Sequence, residues 1–155
     1  MRDKRFIAEH RSGFLKKKQH CQLINWACEC AEHVLPLFRE KIDERLIHAL
    51  IGGRAWVQGN ASVGDGRKAS VAAHALARES QDPVVIALAR AVGHAVATAH
   101  MADHSLGAAL YALKAVKSAG KSVDVERKWQ DEQLPDEIKK LVLSARDAER
   151  LKNAI

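Results

Sequence analysis

The chain has 155 residues, of which 47% are hydrophobic but only 5% aromatic, and its formal net charge is +6. This length suits one domain, residues 1–155, with a core built mainly of alanine, leucine and valine. No apolar run is long enough to span a bilayer, and no apolar stretch follows the N-terminal charges as it would in a signal peptide. We therefore expect a protein without a membrane partner, located in the cytoplasm.

The positive charge is concentrated at the N-terminus. Residues 1–20 carry seven of the 25 Lys and Arg residues and two of the 19 Asp and Glu residues, which leaves 18 basic and 17 acidic residues in the rest of the chain. Such a segment either contacts nucleic acid or an acidic partner, or stays as a solvated and partly mobile terminus. We favour the solvated terminus and predict an irregular basic segment over residues 1–16.

Apolar residues recur at helical spacing along most of the remaining chain, and no segment alternates convincingly as a strand does. The composition is also rich in alanine and poor in proline, which favours helix. We predict an all-α fold, a single compact domain of about six or seven packed helices. Their expected positions are residues 17–35, 43–58, 62–80, the two parts of 83–118, 124–133 and 136–152.

Local signals mark most of the predicted helix ends. Asp82-Pro83 is the strongest of them, because an N-cap acceptor is followed by proline at the first helical position. Ser62 and Asp65 resemble a capping box. Gly120 suits the position just after a helix, where a left-handed backbone is common. The predicted N-caps are Asp43, Ser62, Asp82 and Asp124.

The stretch 90–116, RAVGHAVATAHMADHSLGAALYALKAV, is the segment around which we expect the rest of the chain to pack. It carries almost no charge before Lys114, and its larger apolar side chains keep a helical phase, as in a buried helix. A single helix over residues 83–118 would be about 54 Å long, which is too long for a compact domain of this size. We therefore predict a break near residues 101–105, with Asp103 or Ser105 capping the second half.

Four polar side chains, His94, His100, Asp103 and His104, interrupt this apolar stretch and form a candidate polar cluster. His100 and His104 are four residues apart, which places two imidazoles on one face of a helix, and Asp103 could act as a third ligand or orient a histidine. His74 is a further candidate from elsewhere in the chain. The metal interpretation lacks the Glu that follows the first His of a zincin helix, and the predicted break would separate the pair. We favour polar groups that cap and bridge helix ends, with no metal and no cofactor.

Three cysteines are present, and Cys28 and Cys30 fall on the apolar stripes of the first predicted helix. We therefore predict reduced thiols that act as small core residues. With His33 they form a Cys-x-Cys-x-x-His pattern, but this pattern lacks the paired spacing of zinc sites. The sequence has neither a nucleophile motif nor a phosphate-binding loop, so we name no catalytic residue and favour a non-enzymatic protein.

Several segments of the sequence are similar to one protein family. They are the opening MRDKRFIAEHRSG, CAEHVLPLF at 30–38, AAHA at 72–75, and above all AVATAHMADH at 95–104 with LGAALYA at 106–112. These segments resemble the Imm-5-like immunity proteins of bacterial polymorphic-toxin systems. The resemblance implies an all-helical, bacterial, cytoplasmic protein that binds and neutralises a cognate protein toxin, and it brings no catalytic residues with it.

Three hypotheses about function remain at this point. The first, which we favour, is an immunity protein that blocks a toxin by occlusion, with a contact surface and an oligomeric state that the sequence leaves open. The second is a metal-binding protein or metal-dependent enzyme that uses His100, Asp103 and His104. The third is a nucleic-acid-associated protein that uses the basic N-terminus, with affinity that decreases steeply as salt increases.

Overall fold

The computed structural model describes the backbone of residues 2–152 and, within that range, the side chains of all residues except 63 and 149–152. The described residues form seven α-helices and no β-strand, which confirms the predicted all-α fold. None of these helices is long and apolar enough to cross a bilayer. The helices are α1 (Lys17–Val34), α2 (Glu44–Val57), α3 (Val63–Glu79), α4 (Pro83–Ala97), α5 (His104–Ser118), α6 (Val123–Glu132) and α7 (Asp136–Lys152).

Most of the predicted helix ends are confirmed by their hydrogen bonds. The Asp82 carboxylate accepts the backbone N–H of Val84 at 2.9 Å, directly ahead of α4. Ser62 and Asp65 form the reciprocal capping box of α3, in which each side chain accepts the backbone N–H of the other residue. Gly120 follows α5 with a φ of 75°, a left-handed backbone that glycine adopts without steric cost.

The predicted N-cap of α6 is wrong by two residues. Ser122, not Asp124, precedes this helix, and its hydroxyl accepts the backbone N–H of Val125 at 3.2 Å. Asp124 lies in the first turn, where its carboxylate still interacts favourably with the N-terminal end of the helix dipole. Both residue types are good N-caps, so the local sequence could not decide between them.

The predicted break in the central stretch is confirmed, because α4 ends at Ala97 and α5 begins at His104. Of the two capping residues predicted there, Asp103 has the right position and Ser105 does not. Asp103 occupies the N-cap position, but its carboxylate bonds no helix N–H and instead accepts Arg2 Nη1 at 3.0 Å. The Ser105 hydroxyl is a donor, and it bonds the Ala102 carbonyl at 2.7 Å. The break lets α5 turn back and pack against α4.

The centre of the protein is occupied by α4, which packs against α1, α2, α3 and α5. Two groups of buried apolar residues surround it and its neighbour α5. One is shared by α1 to α5, and the other joins the N-terminal segment to α1, α5 and α7. Cys28 belongs to the first group and Cys30 to the second, and both are free thiols with no exposed surface. The prediction that they are small core residues is therefore confirmed.

The N-terminal segment is folded onto the body instead of lying in solvent along its length. Phe6 and Leu15 are 1% and 2% exposed, and two short 3₁₀ turns lie between residues 4 and 11. The segment closes into a loop, in which the Leu15 N–H donates to the Ile7 carbonyl at 2.9 Å. A side chain at Gly13 would collide with that same carbonyl, so only glycine fits there. The segment is therefore attached to the body through Phe6 and Leu15, while most of the other side chains of residues 2–16 are exposed.

Candidate functional site

The polar cluster predicted from the sequence is present in part, at the interface of α3, α4 and α5. His94 of α4 faces His104 at the start of α5, with 3.2 Å between their Nδ1 atoms. Tyr111, two turns further along α5, stacks on the His94 ring with a centroid distance of 5.2 Å and an interplanar angle of 13°. The rings of His74, from α3, and His94 meet edge-on, with a centroid distance of 5.3 Å. We call His74, His94, His104 and Tyr111 the histidine cluster.

Two glycines make room for these rings. A Cβ atom at Gly93 would lie 2.6 Å from His74 Nε2, and one at Gly107 would lie 2.8 Å from His94 Nδ1. Both distances are too short for any real side chain, so α3, α4 and α5 approach one another here only because these positions are glycine. The cluster is therefore built into the packing of the three helices, with its four side chains partly buried.

The histidines of the cluster have lowered pKa values. The pKa of His94 is lowered to about 4, mainly by burial and in smaller part by repulsion from His104, His74 and Arg90. Burial also lowers the pKa of His74, helped by Arg90, whose Nη1 lies 2.6 Å from His74 Nδ1. For His104, burial lowers the pKa and the neighbouring Asp103 opposes it. The three histidines are therefore mainly uncharged at neutral pH, and their rings act as hydrogen-bonding and stacking groups.

The other two predicted residues lie outside this cluster. His100 is in the linker between α4 and α5, where Arg67 Nη2 lies 3.0 Å from each ring nitrogen. Asp103 forms an ion pair with Arg2. The expected shared face of His100 and His104 does not form, because α5 begins only at His104 and so no helical turn connects the two residues. Of the four predicted residues, the structure brings only His94 and His104 into contact.

Metal ligands do not converge in the part of the chain that the structure describes, since no group of three or more His, Cys, Asp or Glu side chains could hold an ion. Arg90 beside the histidine cluster would also repel a cation. The Cys-x-Cys-x-x-His pattern is dispersed, because the two thiols face different cores while His33 stacks on Trp129 and contacts the Glu126 carboxylate at 2.7 Å.

One known protein family matches most of the chain. Residues 13–137 match a family described as "Imm-5 like putative immunity protein". This chain belongs to that family. The match covers α1 to α6 and every residue of the histidine cluster. No curated protein and no solved structure matches the chain significantly.

The segment that carries the resemblance most specifically has a clear structural role in this Imm-5-like protein. AVATAHMADH at 95–104 contains the end of α4, the linker and the first residue of α5. Thr98 donates its hydroxyl to the His94 carbonyl at 3.0 Å, and the Thr98 carbonyl in turn contacts His20 Nε2 at 2.6 Å. The motif is therefore the turn that reverses the chain between the two central helices.

The sequence analysis did not predict that Tyr111 belongs to the histidine cluster or that Arg90 lies beside it. Helical spacing carried the signal, because Arg90 is four residues before His94 and Tyr111 is seven residues after His104. His104, Gly107 and Tyr111 likewise share one face of α5 at spacings of three and four. The prediction considered only the spacing of His100 and His104 and therefore did not include Tyr111.

Proposed function

We propose that this protein is an immunity protein that binds a cognate bacterial toxin and neutralises it by occlusion, with no reaction of its own. The observation that carries the proposal is the family match over residues 13–137. We also propose that it acts in the bacterial cytoplasm, where a toxin would reach its target.

The character of the histidine cluster supports occlusion over catalysis. Catalytic histidines need access to a substrate and a pKa near the working pH. His94 is instead stacked under Tyr111, held against Gly107 and shifted to a pKa of about 4. A polar group with these surroundings serves to fix the register of α3, α4 and α5.

The alternatives have less support. The metal hypothesis depended on His100, Asp103 and His104 acting together, and two of these residues are engaged with Arg67 and Arg2. The nucleic-acid hypothesis depended on free cations at the N-terminus. Several of those cations contact carboxylates within the protein, namely Arg2 on Asp103, Arg5 on Asp3 and Lys18 on Glu137.

The test is co-expression of this protein with toxin domains encoded beside its gene, followed by titration of the purified toxin. Occlusion predicts a complex on size-exclusion chromatography and inhibition that is complete only when the immunity protein reaches a fixed stoichiometric ratio. Inhibition at ratios far below stoichiometric would show that the protein acts catalytically. If no adjacent toxin is rescued and no complex forms, the immunity proposal is wrong.

A matched variant separates the histidine cluster from the binding function. His94→Gln with His104→Gln keeps polar side chains but removes both imidazoles. We expect this variant to be less stable and still to inhibit the toxin at the same stoichiometric ratio, measured at a temperature where circular dichroism shows it to be folded. A folded variant that binds the toxin but no longer inhibits it would assign chemistry to the cluster.

A further inference from the structure

A cavity of about 390 Å³ lies beneath the N-terminal segment, and its lining includes none of the four residues of the histidine cluster. Four parts of the chain enclose it: the loop of residues 6–15, the start of α1, the end of α2 and the linker between α4 and α5. Its volume falls in the range of small-molecule sites, about 300–1,000 Å³. Neither the histidine cluster nor the proposed immunity function accounts for it.

The inner wall of this cavity is apolar. Phe6, Leu15 and Ala102 are almost completely buried, with exposures of 1%, 2% and 1%, and each lines the cavity. Trp56 and Met101 add larger apolar surfaces at the side. Trp56 and Met101 are only partly buried, so an apolar group that entered would be removed from water mainly against these two side chains, with Phe6, Leu15 and Ala102 packed behind the wall.

The outer wall is basic. Arg11 and Lys17 line the cavity, and neither of them forms an ion pair with any of the described side chains, those of residues 2–62 and 64–148. Glu9 is the one carboxylate among the lining residues, so the described lining has an excess of positive charge. His100 stands at the same wall, with the guanidinium of Arg67 against its ring.

The pKa values of two histidines in the lining also report on the electrostatic potential at this wall. The pKa of His100 is lowered by burial and then by repulsion from Arg67 and Arg11. The pKa of His20, which lines the cavity beside Trp56, is lowered by burial and, more weakly, by His10 and Arg11, while its bond to the Thr98 carbonyl opposes the shift. Burial, the larger cause in both histidines, disfavours a charge of either sign, whereas the repulsion from Arg67 and Arg11 indicates a positive potential that favours an anion.

We propose that this cavity binds an organic anion that has an apolar body, with the anionic group beside Arg11 and Lys17 and the body against Trp56 and Met101. Two sources supply this chemistry, a free aliphatic or aromatic carboxylate and an acidic side chain next to an aromatic one in a protein partner. The proposal stands independently of the immunity function, because it concerns the lining of the cavity and not the identity of a toxin.

Calorimetric titration with octanoate tests the proposal directly, and octan-1-ol is the uncharged control ligand. We expect saturable binding of octanoate at one site per chain and binding of octan-1-ol at least about tenfold weaker. Octanoate that does not bind saturably at one site, or that binds no better than the alcohol, would overturn the proposal unless the peptide described below binds at the same site.

Charge variants locate the site. Arg11→Gln with Lys17→Gln removes both cations of the outer wall, and we expect octanoate affinity to decrease at least about tenfold. Arg39→Gln with Lys41→Gln removes an exposed Arg and Lys from the loop before α2, remote from the cavity lining, and should leave affinity unchanged. An equal decrease in both variants would indicate non-specific attraction to a basic protein and would contradict the proposal.

The same titration distinguishes the two sources. An acetylated, amidated peptide Gly-Phe-Asp-Asp-Leu-Gly presents carboxylates beside an aromatic ring, as a partner segment would. Tighter binding of octanoate assigns the cavity to a free small molecule, and tighter binding of the peptide assigns it to a partner. In either case the ring signals of His20 and His100 should shift in NMR spectra, and the proposal is wrong if neither probe binds or if the shifts lie elsewhere.

Discussion

His94 and His104 lie with their Nδ1 atoms 3.2 Å apart, although α4 ends and α5 begins between them. At this distance one ring donates a hydrogen bond and the other accepts it, which requires that at least one of the two is neutral. The contact therefore depends on protonation. It also links two helices that the chain reversal places side by side, so its loss affects the packing of both.

Acidification should destabilise the protein well above the pH at which its carboxylates titrate. The folded-state pKa of His94 is about 4, below the ordinary value of about 6.5, and the pKa values of His74 and His104 are lowered too. The unfolded chain thus takes up protons first as pH decreases through 6.5. Stability is fully present above that value and is lost progressively down to about pH 4, by on the order of 1–2 kcal/mol for His94 after allowing for solvent screening.

Urea unfolding at about pH 7.5 and about pH 5 measures this loss. His94→Gln is the matched variant, since it lacks the titrating ring and should show a smaller difference between the two pH values. Histidine ring signals in NMR spectra provide the independent check, with His94 still neutral at about pH 5. A free energy of unfolding that stays constant or increases on acidification over this range would contradict the interpretation.

Alanine at Gly107 should destabilise the protein, whereas alanine at Gly52 should stabilise it. A Cβ at Gly107 would lie 2.8 Å from His94 Nδ1, while one at Gly52 meets nothing within 4 Å. Both residues are inside helices, where alanine is favoured over glycine by up to about 1 kcal/mol. We expect Gly52→Ala to gain about that amount and Gly107→Ala to lose about 1–2 kcal/mol, because the clash exceeds the gain.

Thermal unfolding of the two alanine variants, side by side, gives the result. Gly93→Ala should resemble Gly107→Ala, since its Cβ would lie 2.6 Å from His74 Nε2. If all three variants were equally stabilised, the helices would be less closely packed at the histidine cluster than the structure indicates.

Replacing the N-cap of α6 should matter more than replacing the acidic residue that follows it. Ser122→Ala removes an acceptor of the Val125 N–H and should cost about 1 kcal/mol. Asp124→Ala removes a side chain that is 94% exposed and forms an ion pair with Arg127 at 3.6 Å. We expect a loss of less than about 0.5 kcal/mol for that change. Denaturant midpoints rank the stabilities of the two variants. A larger loss for Asp124→Ala than for Ser122→Ala would indicate that Asp124 is the N-cap.

The three thiols should differ in reactivity. Cys28 and Cys30 are fully buried, and burial raises the pKa of Cys28 to about 12 and also raises that of Cys30. Cys21 is partly exposed. Alkylation of the folded protein with iodoacetamide at mildly alkaline pH should therefore modify Cys21 alone, as peptide mass spectrometry would show, and urea should expose all three. Rapid labelling of Cys30 in the folded protein would indicate that its core opens readily.

The ion pair between Arg2 and Asp103 should contribute little to stability. Its side chains are 52% and 27% exposed, so solvent and salt screen the attraction. We expect Asp103→Asn to lose less than about 1 kcal/mol, and a double-mutant cycle with Arg2→Ala to show a coupling that vanishes at high salt. A larger, salt-independent coupling would restore Asp103 as a key residue of the polar cluster.

Much of the fold was predictable because the signals are local. The cap at Asp82, the capping box at Ser62 and the glycine at 120 each depend on a few neighbouring residues, and each forms as expected. The candidate site was less predictable. His100 and Asp103 were grouped with His104 by spacing along one helix, but the linker turns the chain, and Arg67 and Arg2 are closer partners from distant positions.

The sequence by itself determined the helical class, most helix limits, the break between α4 and α5, and the core position of Cys28 and Cys30, because periodicity and capping are properties of short segments. Only the tertiary structure decided that His74 and Tyr111 enclose His94, that the basic N-terminal segment packs through Phe6 and Leu15, and that a cavity remains beneath it. These contacts join residues tens of positions apart. Their geometry follows from how closely the helices approach, which no local pattern encodes.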